Sequence, residues 1–184
     1  MIKTKQDLQD CLKFEKERYG EVPCLWFFWA ALGISDIAII WKYQRKLRVW
    51  EYHQNSHHGI REKLCKIYCN KIGRKYGLRI QPNNFDIGLK IMHLGSILVN
   101  SNTRIGKNCI LNINTAFVAT RGTSDSPTLG DNCSIGVGAT LVGGIHLGNE
   151  VVVGAGAVVT KSFEENHITL GGVPAKIISH KAEL

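Results

Sequence analysis

Between residues 129 and 159 an aliphatic side chain returns at every sixth position: Leu129, Ile135, Leu141, Leu147, Val153 and Val159. Counting back over a polar slot at Thr123 gives Phe117, Leu111 and Ile105 in the same register. A helix would scatter these residues around its axis, and a lone strand would repeat every second residue. A short strand followed by a tight turn satisfies a period of six. Stacked units of that kind form a parallel β-helix in which each unit is one flat side of a coil. The residue two before each aliphatic is small or β-branched: Thr103, Cys109, Thr115, Cys133, Ala139, Ile145, Val151 and Ala157. They predict a second, tighter interior row. Glycine follows the aliphatic at Gly106, Gly130, Gly136, Gly148 and Gly154, which predicts corners with positive φ.

Phe85, Ile91 and Ile97 are also six apart, but offset by two from Ile105. That offset predicts two extra residues in the turn at 100–104, with Ile97 as the inward slot. The unshifted register would make His93 inward, and an unpartnered imidazole in an apolar prism costs free energy. His93 is therefore expected to point outward. The polar stretch 119–127 is expected to bulge from the wall as a loop, the usual carrier of binding.

Ahead of the repeat, residues 4–19 read as one amphipathic helix ended by Gly20. Residues 41–76 read as helix with basic faces, broken near 55–59 and ending about Gly77. The most apolar stretch is 24–41. A bilayer span needs about 20 apolar residues, and Asp36 near the middle would cost about 2.5–3.5 kcal/mol, which argues against crossing. Burial against the repeat or a neighbouring subunit is the first expectation. The functional alternative is peripheral membrane contact through 24–48, with Trp26 to Trp29 docking and the basic segment 42–48 meeting lipid phosphates. The chain thus divides into a helical region 1–77, a β-helix 78–172 and a tail 173–184. The class expected is mainly β with an N-terminal α-helical segment.

The 184 residues carry a formal net charge of +8, with much of the basic excess in the first 80. An anionic cofactor or membrane surface accounts for that excess as well as nucleic acid does, and no nucleic-acid partner is expected. The six cysteines form no CxxC pair, and Cys109 and Cys133 fall on the small interior row. With no cleavable leader visible at the amino end, a reducing cytoplasmic setting is expected, at or near the inner face of the membrane. No metal site is expected; His53, His57 and His58 read as solvated loop histidines.

Several runs resemble the left-handed β-helix, hexapeptide-repeat acyltransferases of the serine acetyltransferase-like branch, which includes capsular polysaccharide O-acetyltransferases. They are Ile91 to Asn100, Ile105-Gly106-Lys107-Asn108-Cys109, Thr128 to Asn132, Val153 to Lys161 and Gly171 to Lys176. The resemblance implies a left-handed coil, a homotrimer with sites between subunits, and acetyl-CoA as donor. Attack of a hydroxyl on a thioester needs a base near neutrality. His93 matches the family's catalytic histidine, whereas His146, His167 and His180 lack a comparable setting. Asn112 and Asn114, about one coil on, are candidates to orient it, alongside a backbone carbonyl. By the same resemblance Val137 and Ala155 offer backbone contacts to the pantetheine arm, while Thr160, Lys161 and Lys176 approach the phosphates.

The departures concern the acceptor. Met92 and Leu78 stand where serine-specific members carry aspartates, and Ser126-Pro127 where they carry an Arg-His pair. A sugar or polysaccharide hydroxyl is therefore preferred to L-serine, and the final Ala182-Glu183-Leu184 in place of a terminal Ile points the same way. A non-catalytic trimeric scaffold is the remaining alternative, opposed by His93 and Thr160-Lys161.

Overall fold

A computed structural model describes residues 1–20 and 25–181. Helices α1 (Lys5–Glu17), α2 (Trp26–Leu32), α3 (Asp36–Asn55) and α4 (Gly59–Tyr76) precede fourteen short strands that wind through a three-sided prism. Thr4 caps α1 through a reciprocal box with Asp7, and Gly33 and Gly77 end α2 and α4 in the left-handed conformation. The segments 4–19 and 41–76 are thus helical as expected, with the break at 56–58. The expected class, a hexapeptide-repeat β body behind an N-terminal helical segment, is what the structure has, with helix at 33% of the structure because the prism's sides are only two to four residues long.

The inward aliphatic row is as expected, and so is the small row beside it: Thr103, Cys109, Thr115, Cys133, Ala139, Ile145, Val151 and Ala157 are all buried. The first face stacks Ile105, Leu129 and Leu147; the second Ile91, Leu111, Ile135, Val153 and Leu170; the third Val99, Phe117, Leu141 and Val159. In the upper coils each residue pairs with the one 18 further on, as Leu129 with Leu147, Ile135 with Val153 and Leu141 with Val159.

The register slip lies elsewhere than expected. Phe85 pairs with Ile105 and Ile91 with Leu111, each 20 residues on, but Val99 pairs with Phe117, 18 on. The two extra residues therefore fall between Ile91 and Val99, in the corner that contains His93, and not at 100–104. Val99 takes the main row while Ile97, opposite Thr115, joins the small row. The loop 119–127 bulges as expected, and it explains the polar slot. Ile105 to Leu129, Leu111 to Ile135 and Phe117 to Leu141 are 24-residue steps, so the insertion is one whole repeat long and Thr123 is an exposed loop residue.

The glycines after the aliphatics also have a different cause. None of Gly106, Gly130, Gly136, Gly148 and Gly154 has positive φ. A Cβ on Gly136 would lie 2.7 Å from both Ala155 N and Val153 O, and on Gly130 2.8 Å from Gly148 O. The coils approach each other there through bare backbone. Positive φ occurs two residues later, at Asn108, Asn114, Asn132, Gly138, Glu150 and Gly156.

The helices close the base of the prism. Ile40, Tyr43, Leu47 and Trp50 of α3 enter the common core. Arg48, 2% exposed, bonds Glu15 at 2.6 Å and Glu51 at 2.7 Å, and its remaining N–H groups donate to the Phe85 and Asp86 carbonyls. Burial acts to lower its pKa, but the two carboxylates outweigh that and raise it. The run 42–48 is consequently no continuous basic face, since Tyr43, Gln44, Leu47 and Arg48 are all buried. Of the most apolar stretch, Ala30, Ala38, Ile39, Ile40 and Trp41 are buried while the outer face of α2 is exposed; Cys24 lies outside the described residues. At the far end Lys176–Ser179 turns back antiparallel on Thr169–Gly171, so the tail completes the second face; residues 182–184 lie outside the described residues.

Candidate active site

Each face ends in a corner, and corners stack into edges. The edge between the second and third faces is built from Met92–Ser96, Asn112–Asn114, Gly136–Gly138, Gly154–Gly156 and Gly171–Gly172. Its rungs are fixed by backbone bonds: Met92 N to Leu111 O, Asn112 N to Ile135 O, Gly136 N to Val153 O and Gly154 N to Leu170 O. His93, Ile113, Val137 and Ala155 occupy one equivalent position, two residues past an inward aliphatic. Five of the eight expected site residues, His93, Asn112, Asn114, Val137 and Ala155, therefore lie on its rungs, and a sixth, Lys176, stands beside its last rung.

His93 is exposed, as expected. The extra residues in its corner lift it from the wall. Gly95 presses on Ile113, where a Cβ would fall 2.8 Å from the Ile113 side chain, and Leu94 packs against the cluster of Ala30 on α2 with Ala38 and Ile39 on α3. The corner is held from both sides, which fixes the imidazole's backbone without burying the ring. Neither asparagine takes the expected orienting role through a bond to the ring among the described residues. Asn112 donates its side-chain N–H to Ile135 O at 2.9 Å, and Asn114 supplies a left-handed corner residue whose N–H donates to Ser96 O. Asp86 lies on the next edge round, bound to the amino terminus at 3.5 Å.

Val137, 43% exposed, and Ala155 flank left-handed glycines, Gly138 at φ 73° and Gly156 at φ 67°. No side chain longer than valine stands on these two rungs. Lys176, exposed, pairs with Gly171 and so stands at the far end of the edge from His93. Five strand spacings of about 4.8 Å separate those ends, roughly 24 Å. Thr160 and Lys161 are not brought to this edge. They turn the corner between the third and first faces, where the Lys161 ammonium lies 5.2 Å over the Phe163 ring. The loop 119–127 bulges from that same corner column, stacked between Asn100–Asn102 and Gly143–Gly144.

Sequence reasoning missed Gly138, Gly156 and Leu94. The first two had a signal, since asparagine or glycine recurs three residues after the aliphatic at 108, 114, 132, 138 and 156. Leu94 had none, because its partners are remote in the chain. His53 and His58 are not separately solvated: their Nδ1 atoms are 3.0 Å apart, beside Tyr52, so one imidazole donates to the other. Burial, then His58 and Arg61, hold the His53 pKa below the usual value. The described cysteines are free, and burial pushes the Cys11 and Cys69 thiols up to about 12.

Such an edge, with a base at one end, small residues along it and a cation at the other, suits an extended ligand with a reactive group at one end and phosphate at the other. Comparison with known proteins bears on the fold. Residues 128–161 match the family described as the hexapeptide repeat of succinyl-transferase. A serine acetyltransferase of Neisseria gonorrhoeae in complex with serine superposes with a TM-score of 0.70, covering 95% of this chain and 70% of that one at 22% identity. The fold is that of the serine acetyltransferases. A serine acetyltransferase in complex with CoA superposes at 0.69 over 95% of this chain and 71% of that one, at 22% identity. In sequence, serine acetyltransferase of Buchnera aphidicola is 27% identical over 155 residues, 80% of this chain. The chain spans 56% of that relative's length. The capsular polysaccharide branch is not represented among these relatives.

Proposed function

We propose that the protein transfers an acetyl group from acetyl-CoA to the hydroxyl of L-serine, with His93 as general base. The observation that carries the reading is the shared edge: the two-residue insertion lifts His93 clear of the wall on the same edge as Val137, Ala155 and Lys176. The relatives, named for serine and solved with serine and CoA, support both substrates. An alcohol is a poor nucleophile until its proton leaves. His93, exposed and fixed through Leu94 and Gly95, takes that proton as the oxygen attacks the thioester carbon. The tetrahedral intermediate collapses with expulsion of the thiolate, and the imidazolium returns the proton to sulfur. The pantetheine arm runs over Val137 and Ala155, where the short side chains leave backbone within reach, and Lys176 meets the phosphates. Lys161, on another edge, would join the same site only from a neighbouring subunit, which the left-handed, trimeric arrangement implied by the resemblance would supply.

A second reading keeps the donor and replaces serine by a sugar hydroxyl. It is favoured by Met92 beside His93 and by Ser126-Pro127, which supply no charge for a free amino acid. Release of CoA thiol from acetyl-CoA, followed with L-serine and with a panel of sugars, separates the two. Serine turnover, lost by about 10²–10⁴-fold in His93→Ala, is the expected result. Turnover of sugars alone would replace the acceptor, and undiminished activity in His93→Ala would remove the base.

A further inference from the structure

Two features of the helical region play no part in the site above. The first is apolar and outward: Leu25, Phe27, Phe28, Leu32, Ile34 and Ile37, on and beside α2, are each 38–59% exposed. The second is an open cleft of about 240 Å³ between α3 and α4, beside α2. Its floor is apolar, from Ala30, Ile39 and Ile72, and its rim carries Lys42, Lys71 and Lys75 with Tyr68 and Tyr76. Three lysines from two helices thus line an apolar floor with no acid in the lining, Lys75 with its ammonium 5.1 Å over the Tyr76 ring. Further cations lie on the aromatic rings at its margin: Lys46 is 5.0 Å from the Tyr68 ring and Arg45 5.6 Å from the Trp26 ring. Asp36 and Glu62 are confined to the first turns of α3 and α4. The two features are continuous, because Ala30 belongs to α2.

An exposed apolar surface of this extent marks a contact, and its chemistry selects the partner. We propose that it docks on an anionic phospholipid bilayer, with a lipid phosphate held among Lys42, Lys71 and Lys75 while Phe27 and Phe28 enter the interface. An apolar insertion and a basic cluster are two signals that together give stable peripheral attachment, and aromatic residues suit the boundary between headgroup and acyl chain. A second copy seated across a two-fold axis would bring the same lysines toward one another. No described helix is long and apolar enough to cross a membrane, so the attachment is peripheral. Five cations, Arg45 of the same run among them, sharpen the expectation formed from 42–48. Lys42 and Lys46 come from that run, but Lys71 and Lys75 come from α4, while Arg48 is spent in the buried triad. The inference does not rest on the acetyl-transfer reading.

Flotation of the full chain with vesicles tests it. Native protein should rise with vesicles of equal phosphatidylglycerol and phosphatidylcholine, stay down with phosphatidylcholine alone, and be released by molar salt. Combined Lys42→Gln, Lys71→Gln and Lys75→Gln should weaken partitioning by about a hundredfold, and Phe27→Ser with Phe28→Ser should abolish flotation, both with the native thermal transition. Native protein that fails to rise, rises equally with neutral vesicles, or resists salt would overturn the proposal without reference to any variant. So would dissociation of an oligomer by the phenylalanine variant with flotation unchanged, which would assign the surface to a second copy.

Discussion

Two edges of one prism, built from the same six-residue unit, differ in what stands two residues past the inward aliphatic. Between the first and second faces that position holds Lys107, Asp131 and Asn149, and the coils are laced together. Lys107 N donates to Asp131 Oδ1 at 2.7 Å, Asp131 N to Asn149 Oδ1 at 2.8 Å, and Asn149 N to Asn166 Oδ1 at 2.6 Å. Its base is covered by α1, whose Glu15 accepts from Gly88 N and Leu89 N and whose Arg18 donates to Asn108 O. Between the second and third faces the same position holds His93, Ile113, Val137 and Ala155, and no such ladder crosses. One edge uses its side chains to fasten the fold; the other leaves its surface open.

The largest effect should come from unfastening the laced edge. Arg48→Met would strand Glu15 and Glu51 in the core, and denaturant unfolding should show a loss of about 3–5 kcal/mol. If the loss were below about 1 kcal/mol, the helices would not be held to that edge by this triad. Gly130→Ala, which forces a Cβ against Gly148 O, should cost about 1–3 kcal/mol. Gly156→Ala on the open edge meets no neighbour and should cost only about 1 kcal/mol for its left-handed φ. A reversed order in thermal melts would break the distinction. Asn149→Ala should cost about 1 kcal/mol through the one bond its side chain accepts, from Asp131 N, with acetyl transfer unaffected.

The smallest effect concerns pH. The folded His53 binds a proton less readily than the unfolded chain does, because burial and then His58 and Arg61 disfavour its charge. Stability is therefore unaffected above the ordinary imidazole value of about 6.5 and falls as pH drops below it. His53→Gln should flatten that fall; an unchanged melting profile from neutral to mildly acid pH would show the pair to be silent.

The period of six made the coil legible, because each inward slot is apolar whatever the corner does. Corners were less legible, since their residues answer to neighbours one coil away. Gly136 could be seen to be special, but not that Ala155 N and Val153 O forbid a Cβ. The slip could be counted from Ile91 to Ile105, yet both Ile97 and Val99 are apolar, so composition could not say on which side of them it fell. The inward row from Ile105 to Val159 could be traced through 119–127 because the insertion is one whole repeat long. In the helices, Arg48 read as a surface cation because Glu15, 33 residues away, gives no local sign of meeting it. Which residues share the open edge follows only once the rungs are known.

Affinity for acetyl-CoA, measured by calorimetry on a matched pair of variants, tests the difference between the edges directly. Ala155→Tyr obstructs the open edge and Lys107→Tyr adds the same ring at the equivalent position of the laced edge. At least a tenfold loss of affinity, about 1.4 kcal/mol, is expected for Ala155→Tyr, and native affinity for Lys107→Tyr. Equal loss in both, or loss confined to Lys107→Tyr, would contradict that difference between the edges.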